Sequence, residues 1–172
     1  MDLVDFYRGA APDYQGRILQ TIWQWDYEKL EGVHDYIQVL FPLNERSQFN
    51  SRAPLLDEAT IGQFQNDETI RANLLESFRL MLGFYGFRLD EESKAVLKAD
   101  DFEDRAANWL VIGDHNHLRI TRILKCLTLC GLGEYATAFL KALLEVADPR
   151  EVSDETVWYW KQAVSPVMNS SR

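Results

Sequence analysis

Apolar residues recur at helical spacing along most of the chain. The clearest core-like stripe lies between His115 and Gly133, where Ile120, Ile123, Leu124, Leu127 and Gly131 fall at i, i+3, i+4, i+7 and i+11. That spacing predicts a central buried helix over about 115–131, capped by Asp114 or Asn116 and ended by a left-handed turn at Gly131-Leu132-Gly133. Leu118 and Leu129 fall on its other side among Thr121, Arg122 and Lys125, which predicts that a second layer or a loop reaches part of that face. A second stripe, Ile70, Leu74, Phe78, Met81, Leu82 and Tyr85, predicts a long helix capped by Asp67 and stopped at Gly86.

The remaining segments follow the same logic. Phe6-Tyr7-Arg8-Gly9 reads as an arm docked on the body by its aromatics, and a helix is predicted from about Asp13 to Trp25. Asp26 then caps a helix carrying Leu30, Val33, Ile37 and Leu40, which ends where Pro42 forces Phe41 out of helical geometry. Residues 42–56 lack periodicity and read as a long ordered loop with Leu43, Phe49 and Leu55 as anchors. Asp57 caps a short helix through Phe64, residues 88–100 form a mobile or hairpin-like excursion, and Asp100 or Asp101 starts a helix to about Asn108. Trp109 to Asp114 is too short an apolar run for a helix and is expected to cross the core edge in extended form. Ala136, Phe139, Leu140, Leu143 and Ala147 mark another helix, and Ser153 caps a last one bearing Val157, Trp160 and Val164. The expectation is an all-α bundle of about seven helices in one domain spanning 1–172, with a core from about 6 to 164 and a frayed tail at 165–172.

Composition narrows the class. Of 172 residues, 47% are hydrophobic and 12% aromatic, enough to fill a core without disulfide or metal staples. The two cysteines, Cys126 and Cys130, stand one helical turn apart, where disulfide geometry is poor, and read as reduced thiols of a cytoplasmic protein. No window has the unbroken apolar length of a transmembrane segment. A net charge of −9 disfavours phosphate backbones, so nucleic acid is not the expected partner, although an acidic interaction surface remains a reading.

Nucleotide-loop glycines, a nucleophile elbow and paired-cysteine zinc spacing are all missing from the sequence, and no cofactor is implied. His34, His115 and His117 with Asp114 form a conceivable metal-ligand set for a hydrolase, but His115 and His117 point about 200° apart on a helix. Arg119 and Arg122 sit one turn apart, either paired with internal acids such as Asp35 or Asp26 or clamping an anionic ligand.

Several blocks resemble the conserved region of the opioid growth factor receptor family. They are Phe6-Tyr7-Arg8-Gly9, the run Trp25 to Glu31, His34 to Leu43, Met81 to Gly86, Asn108-Trp109, and His115 to Lys125, covering roughly residues 6 to 147. Val39 stands where the family pattern has Trp, and the join from Trp109 to His115 is longer than in the animal members. The resemblance implies a receptor-like binding module without established catalytic residues. Animal members are named for an enkephalin peptide, associate with the nuclear envelope and add long tails, so this chain resembles a stand-alone, bacterial-type member. The expected ligand site combines His34, Tyr36, Gln38, Tyr85, Asn116, His117, Arg119 and Arg122 at the seam between the central helix and the helix ending at Pro42, open to an unknown small molecule, peptide or protein. Metal-dependent hydrolysis and an acidic protein-interaction module are the alternatives.

Overall fold

Asp2 accepts a hydrogen bond from the backbone of Asp5 and starts α1 (Leu3–Tyr7) in the computed structural model, which describes residues 1–165. The arm is therefore a short helix, anchored by buried Phe6 and Tyr7. Helix α2 (Leu19–Trp23) is much shorter than the predicted 13–25 segment. The reason lies at Asp13, whose buried carboxylate accepts from the backbone of Gln15 and Arg17 and so holds residues 13–17 in a turn.

The helix predicted from Asp26 to Phe41 is two pieces, α3 (Tyr27–Gly32) and α4 (Ile37–Leu40), with Val33 in extended geometry between them. Residues 42–56 follow as an ordered loop tied by a bridge between Leu43 and Leu55. Leu43 and Leu56 are its buried anchors, whereas Phe49 is 84% exposed and Leu55 also reaches solvent, so the expectation for those two fails.

Asp57 and Asp67 cap α5 (Glu58–Asn66) and α6 (Glu68–Tyr85), as their positions ahead of each stripe predict. Gly86 ends α6 with φ +92, and a Cβ there would lie 2.9 Å from the Phe102 backbone. The excursion after it is an antiparallel hairpin of β1 (Phe87–Leu89) and β2 (Val96–Lys98), with Arg88 opposite Leu97. Helix α7 (Phe102–Ala106) leads to Trp109, which is buried and donates its indole N–H to Tyr85 O at 2.9 Å. Residues 110–114 do not cross the core in extended form. They turn through Gly113, and Val111 and Ile112 remain exposed.

Helix α8 (Asn116–Leu129) begins where Asp114 accepts from the Asn116 backbone and ends with Gly131 at φ +80 and Leu132 N–H on Leu127 O. Its apolar stripe packs against α9 (Gly133–Val146) and α10 (Asp154–Val164). Helix α6 gathers α1, α2, α5, α7 and β1, so the bundle has two packing centres rather than one central helix. The described residues thus hold ten helices and a two-stranded sheet around one continuous apolar core, where about seven helices were expected. The short helices lack the two full turns that make a periodic stripe visible. The frayed tail expected at 165–172 falls, beyond Ser165, outside the described residues.

Candidate functional site

The break between α3 and α4 leaves the carbonyls at the end of α3 without helical partners. Arg119, only 6% exposed, reaches them from α8: Nη1 donates to Leu30 O at 2.9 Å, and Nη2 donates to Val33 O at 3.0 Å and Glu31 O at 3.4 Å. The cation thus sits at the negative end of a helix and acts as its C-cap from another part of the chain. Tyr36 completes the arrangement, donating its hydroxyl to Leu30 O at 2.8 Å while its ring lies 5.4 Å from the Arg119 Cζ.

The carboxylates expected to pair with Arg119 are engaged elsewhere. Asp35 binds Arg17 at 2.7 Å and Asp26 caps α3 through the Lys29 backbone.

Asn116, fully buried, links this arginine to the long helix. Its Oδ1 accepts from Tyr85 OH at 3.4 Å and Arg119 Nη1 at 3.5 Å, and its Nδ2 donates to Glu31 Oε2 at 3.1 Å. Glu31 also meets His115 Nε2 at 2.9 Å. Glu31 was missed in the sequence because it shows no periodicity; only its place two residues before the break marks it. Burial pushes both the Tyr36 and Tyr85 phenols above their ordinary value, with Arg119 opposing the shift at each.

The histidines do not converge. His34 is exposed, its Nδ1 3.5 Å from Arg119 Nη2 and its ring 5.9 Å from the ring of His115. His117 faces the core, donating from Nε2 to Trp109 O at 2.8 Å with its ring edge on Trp160. His117 therefore leaves the proposed set of His34, His115, His117 and Asp114, and no group of three or more His, Cys, Asp or Glu able to hold a metal ion occurs among the described residues. Its removal also takes it out of the polar seam, which consists of Tyr36, Tyr85, Asn116 and Arg119 with His34 at the rim.

Arg122 faces another way. One turn further along α8, it donates from Nη1 to Phe41 O at 3.1 Å, and its remaining donors border an open groove of about 460 Å³. The groove follows α8 along Leu118, Arg122, Lys125 and Leu129, with Ile37, Gln38 and Leu43 on one side and Tyr159 and Ala163 of α10 on the other. Gln38 sits at its edge and accepts weakly from Asn50 Nδ2 at 3.4 Å. Leu118 and Tyr159 are 63% and 47% exposed. Lys125, Leu118 and Tyr159 are absent from the sequence-predicted site, although Leu118 and Leu129 on the polar side of α8 were its visible trace. Burial draws the Arg122 guanidinium below its ordinary value, while the Glu45 charge opposes this.

The protein is thus a small α-helical domain with a buried, carbonyl-bound arginine and an open groove beside it. It belongs to the opioid growth factor receptor family: the pattern described as "Opioid growth factor receptor (OGFr) conserved region" matches residues 6–165. The opioid growth factor receptor of Rattus norvegicus is 42% identical over 129 residues, covering 74% of this chain and 22% of that protein. Opioid growth factor receptor-like protein 1 of Mus musculus is 37% identical over 146 residues, 83% of this chain and 31% of that protein. The chain therefore spans less than a third of either curated relative. These relatives are animal proteins and lend no support to the bacterial-type assignment. No solved structure matches the chain.

Proposed function

We propose that the chain is a single-domain, non-catalytic binding module whose ligand lies in the groove along α8, with the Arg119 seam as its rigid wall. The observation that carries this reading is the groove itself. Its volume of about 460 Å³ falls in the range of ordinary ligand pockets, and it joins apolar walls to the unspent donors of Arg122. The seam is better read as support, because the strongest donors of Arg119 already end on backbone carbonyls.

The receptor names of the relatives favour a binding role, and the opioid growth factor those names carry is one ligand to try. No helix among the described residues is long and apolar enough to cross a membrane. A cytoplasmic setting belongs to the same proposal and is supported by the free, buried Cys126 and Cys130.

Titration of isotopically labelled protein with a panel of small molecules and short peptides, followed by amide chemical shifts, tests the reading. Binding in the groove moves Leu118, Arg122 and Tyr159 and is lost in Leu118→Glu. Ligands that move only residues far from α8, or a panel that moves none, would defeat it.

A further inference from the structure

The groove runs the length of one helix face. Leu118, Arg122, Lys125 and Leu129 fall at i, i+4, i+7 and i+11 on α8, so its floor extends about 16 Å. An extended peptide of about five residues covers that distance. Arg122 lies near the middle, with Leu118 toward one end and Leu129 toward the other.

The charges in the groove oppose those of the protein. The chain carries −9, whereas the groove is lined by Arg119, Arg122 and Lys125 against the single carboxylate of Glu45. Arg119 is committed to backbone carbonyls, and Lys125 meets Glu45 at 3.0 Å in a solvent-facing pair. Arg122 holds one hydrogen bond, to Phe41 O, and no ion pair with an acidic side chain among the described residues. A guanidinium has five N–H donors, and a planar carboxylate is the group that satisfies two of them at once.

We propose that the groove binds an extended peptide segment in which an internal Asp or Glu, flanked on both sides by large apolar residues, places its side-chain carboxylate on Arg122. This rests on the groove being the ligand site. The central position of the cation favours an internal side chain over a chain terminus, which would require the charge at one end. The flanking residues lie along the apolar lining of the groove, one toward Leu118 and the other toward Leu129. The acidic surface elsewhere keeps an acidic, apolar segment from spreading over the protein and leaves this basic strip as its landing place.

Calorimetric titration with three five-residue peptides tests the proposal. The first is acetylated and amidated, with glutamate at the centre between pairs of leucine and phenylalanine. The second carries glutamine at the centre, and the third is the glutamine peptide with a free terminal carboxylate. The glutamate peptide is expected to bind at least about tenfold more tightly than either of the others. Arg122→Gln erases that preference and Arg122→Lys keeps part of it, with urea unfolding of both variants confirming that they fold.

Equal binding of the glutamate and blocked glutamine peptides, with shifts at Leu118 and Tyr159, overturns the carboxylate assignment and leaves the groove reading standing. Preference for the free terminus also overturns it. If no peptide binds or shifts the groove, the peptide proposal is overturned, and the groove reading stands or falls on the small molecules of the wider panel. A dimer that Leu118→Glu converts to monomer identifies a second copy as the occupant. Peptide binding that appears only in the Val167→Asp, Met168→Asp variant identifies the chain's own end. Either result overturns the proposal.

Discussion

Arg119 and Arg122 stand three residues apart on the same helix, yet they do opposite things. Arg119 enters a closed seam and spends its donors on the carbonyls of Leu30, Glu31 and Val33, which a broken helix leaves unpaired. Arg122 enters an open groove and meets one carbonyl, that of Phe41. The difference comes from what faces each of them. The extended segment at Val33 brings a cluster of acceptors over Arg119, whereas beside Arg122 the chain turns at Pro42 and runs away as a loop. A buried cation surrounded by oriented acceptors is a structural element, and a partly buried cation with spare donors beside an apolar surface is the ligand contact we propose.

Arg119→Met breaks the seam and carries the largest expected effect. It removes the cap and orphans buried carbonyls, so unfolding free energy in urea should fall by about 3 to 5 kcal/mol. For a domain of this size that lowers the melting temperature by roughly 10 °C. A loss below about 1 kcal/mol would show that the seam does not hold the fold.

Tyr36→Phe comes next. It deletes one buried donor to Leu30 O and should cost about 1 to 2 kcal/mol near neutral pH. The same hydroxyl gives the seam a pH dependence. Burial raises the Tyr7, Tyr36 and Tyr85 phenols above their unfolded value of about 10, so the protonated form is favoured in the folded state. Their contribution is complete below that pH and falls as pH rises beyond it. Stability measured between pH 9 and 11.5 should therefore decline above about pH 10, less steeply in Tyr36→Phe than in the wild type. Parallel slopes would count against a buried phenol at this position.

Arg122→Met should change stability by less than about 1 kcal/mol in either direction, because the charge it removes is desolvated and held by one hydrogen bond. A loss as large as that of Arg119→Met would make both arginines structural and erase the contrast. The smallest effect is expected for the Lys125 and Glu45 pair. A double-mutant cycle with alanine should give a coupling below about 0.5 kcal/mol, since both partners face solvent.

Local chemistry was legible wherever a cap or a stop lies within a few residues. Asp26, Asp57, Asp67 and Ser153 cap the helices their positions announce, and Gly86 and Gly131 end theirs in left-handed geometry. These signals depend on residues two to four positions apart, so the sequence contains them whole. The break at Val33 was not legible, because Leu30, Val33, Ile37 and Leu40 keep helical spacing across it. What replaces the missing helical bonds is Arg119, 86 residues away from Val33. His117 was misplaced for a related reason: its neighbours in sequence suggest a polar cluster, while its partners in space are Trp109 and Trp160.

The seam was partly foreseen, since Tyr36, Tyr85, Asn116 and Arg119 meet as their motifs suggested, while Glu31 entered unannounced. The groove was foreseen only as a face of α8 with too many apolar residues. By itself, the sequence determined an acidic helical chain of this family, its caps, its stops and its principal apolar faces, because each is encoded by spacing along one element or by motif identity. Only the tertiary structure decided which of two adjacent arginines is consumed and which is left free. That choice depends on where acceptors from a distant, broken helix come to rest, and no local pattern carries that information.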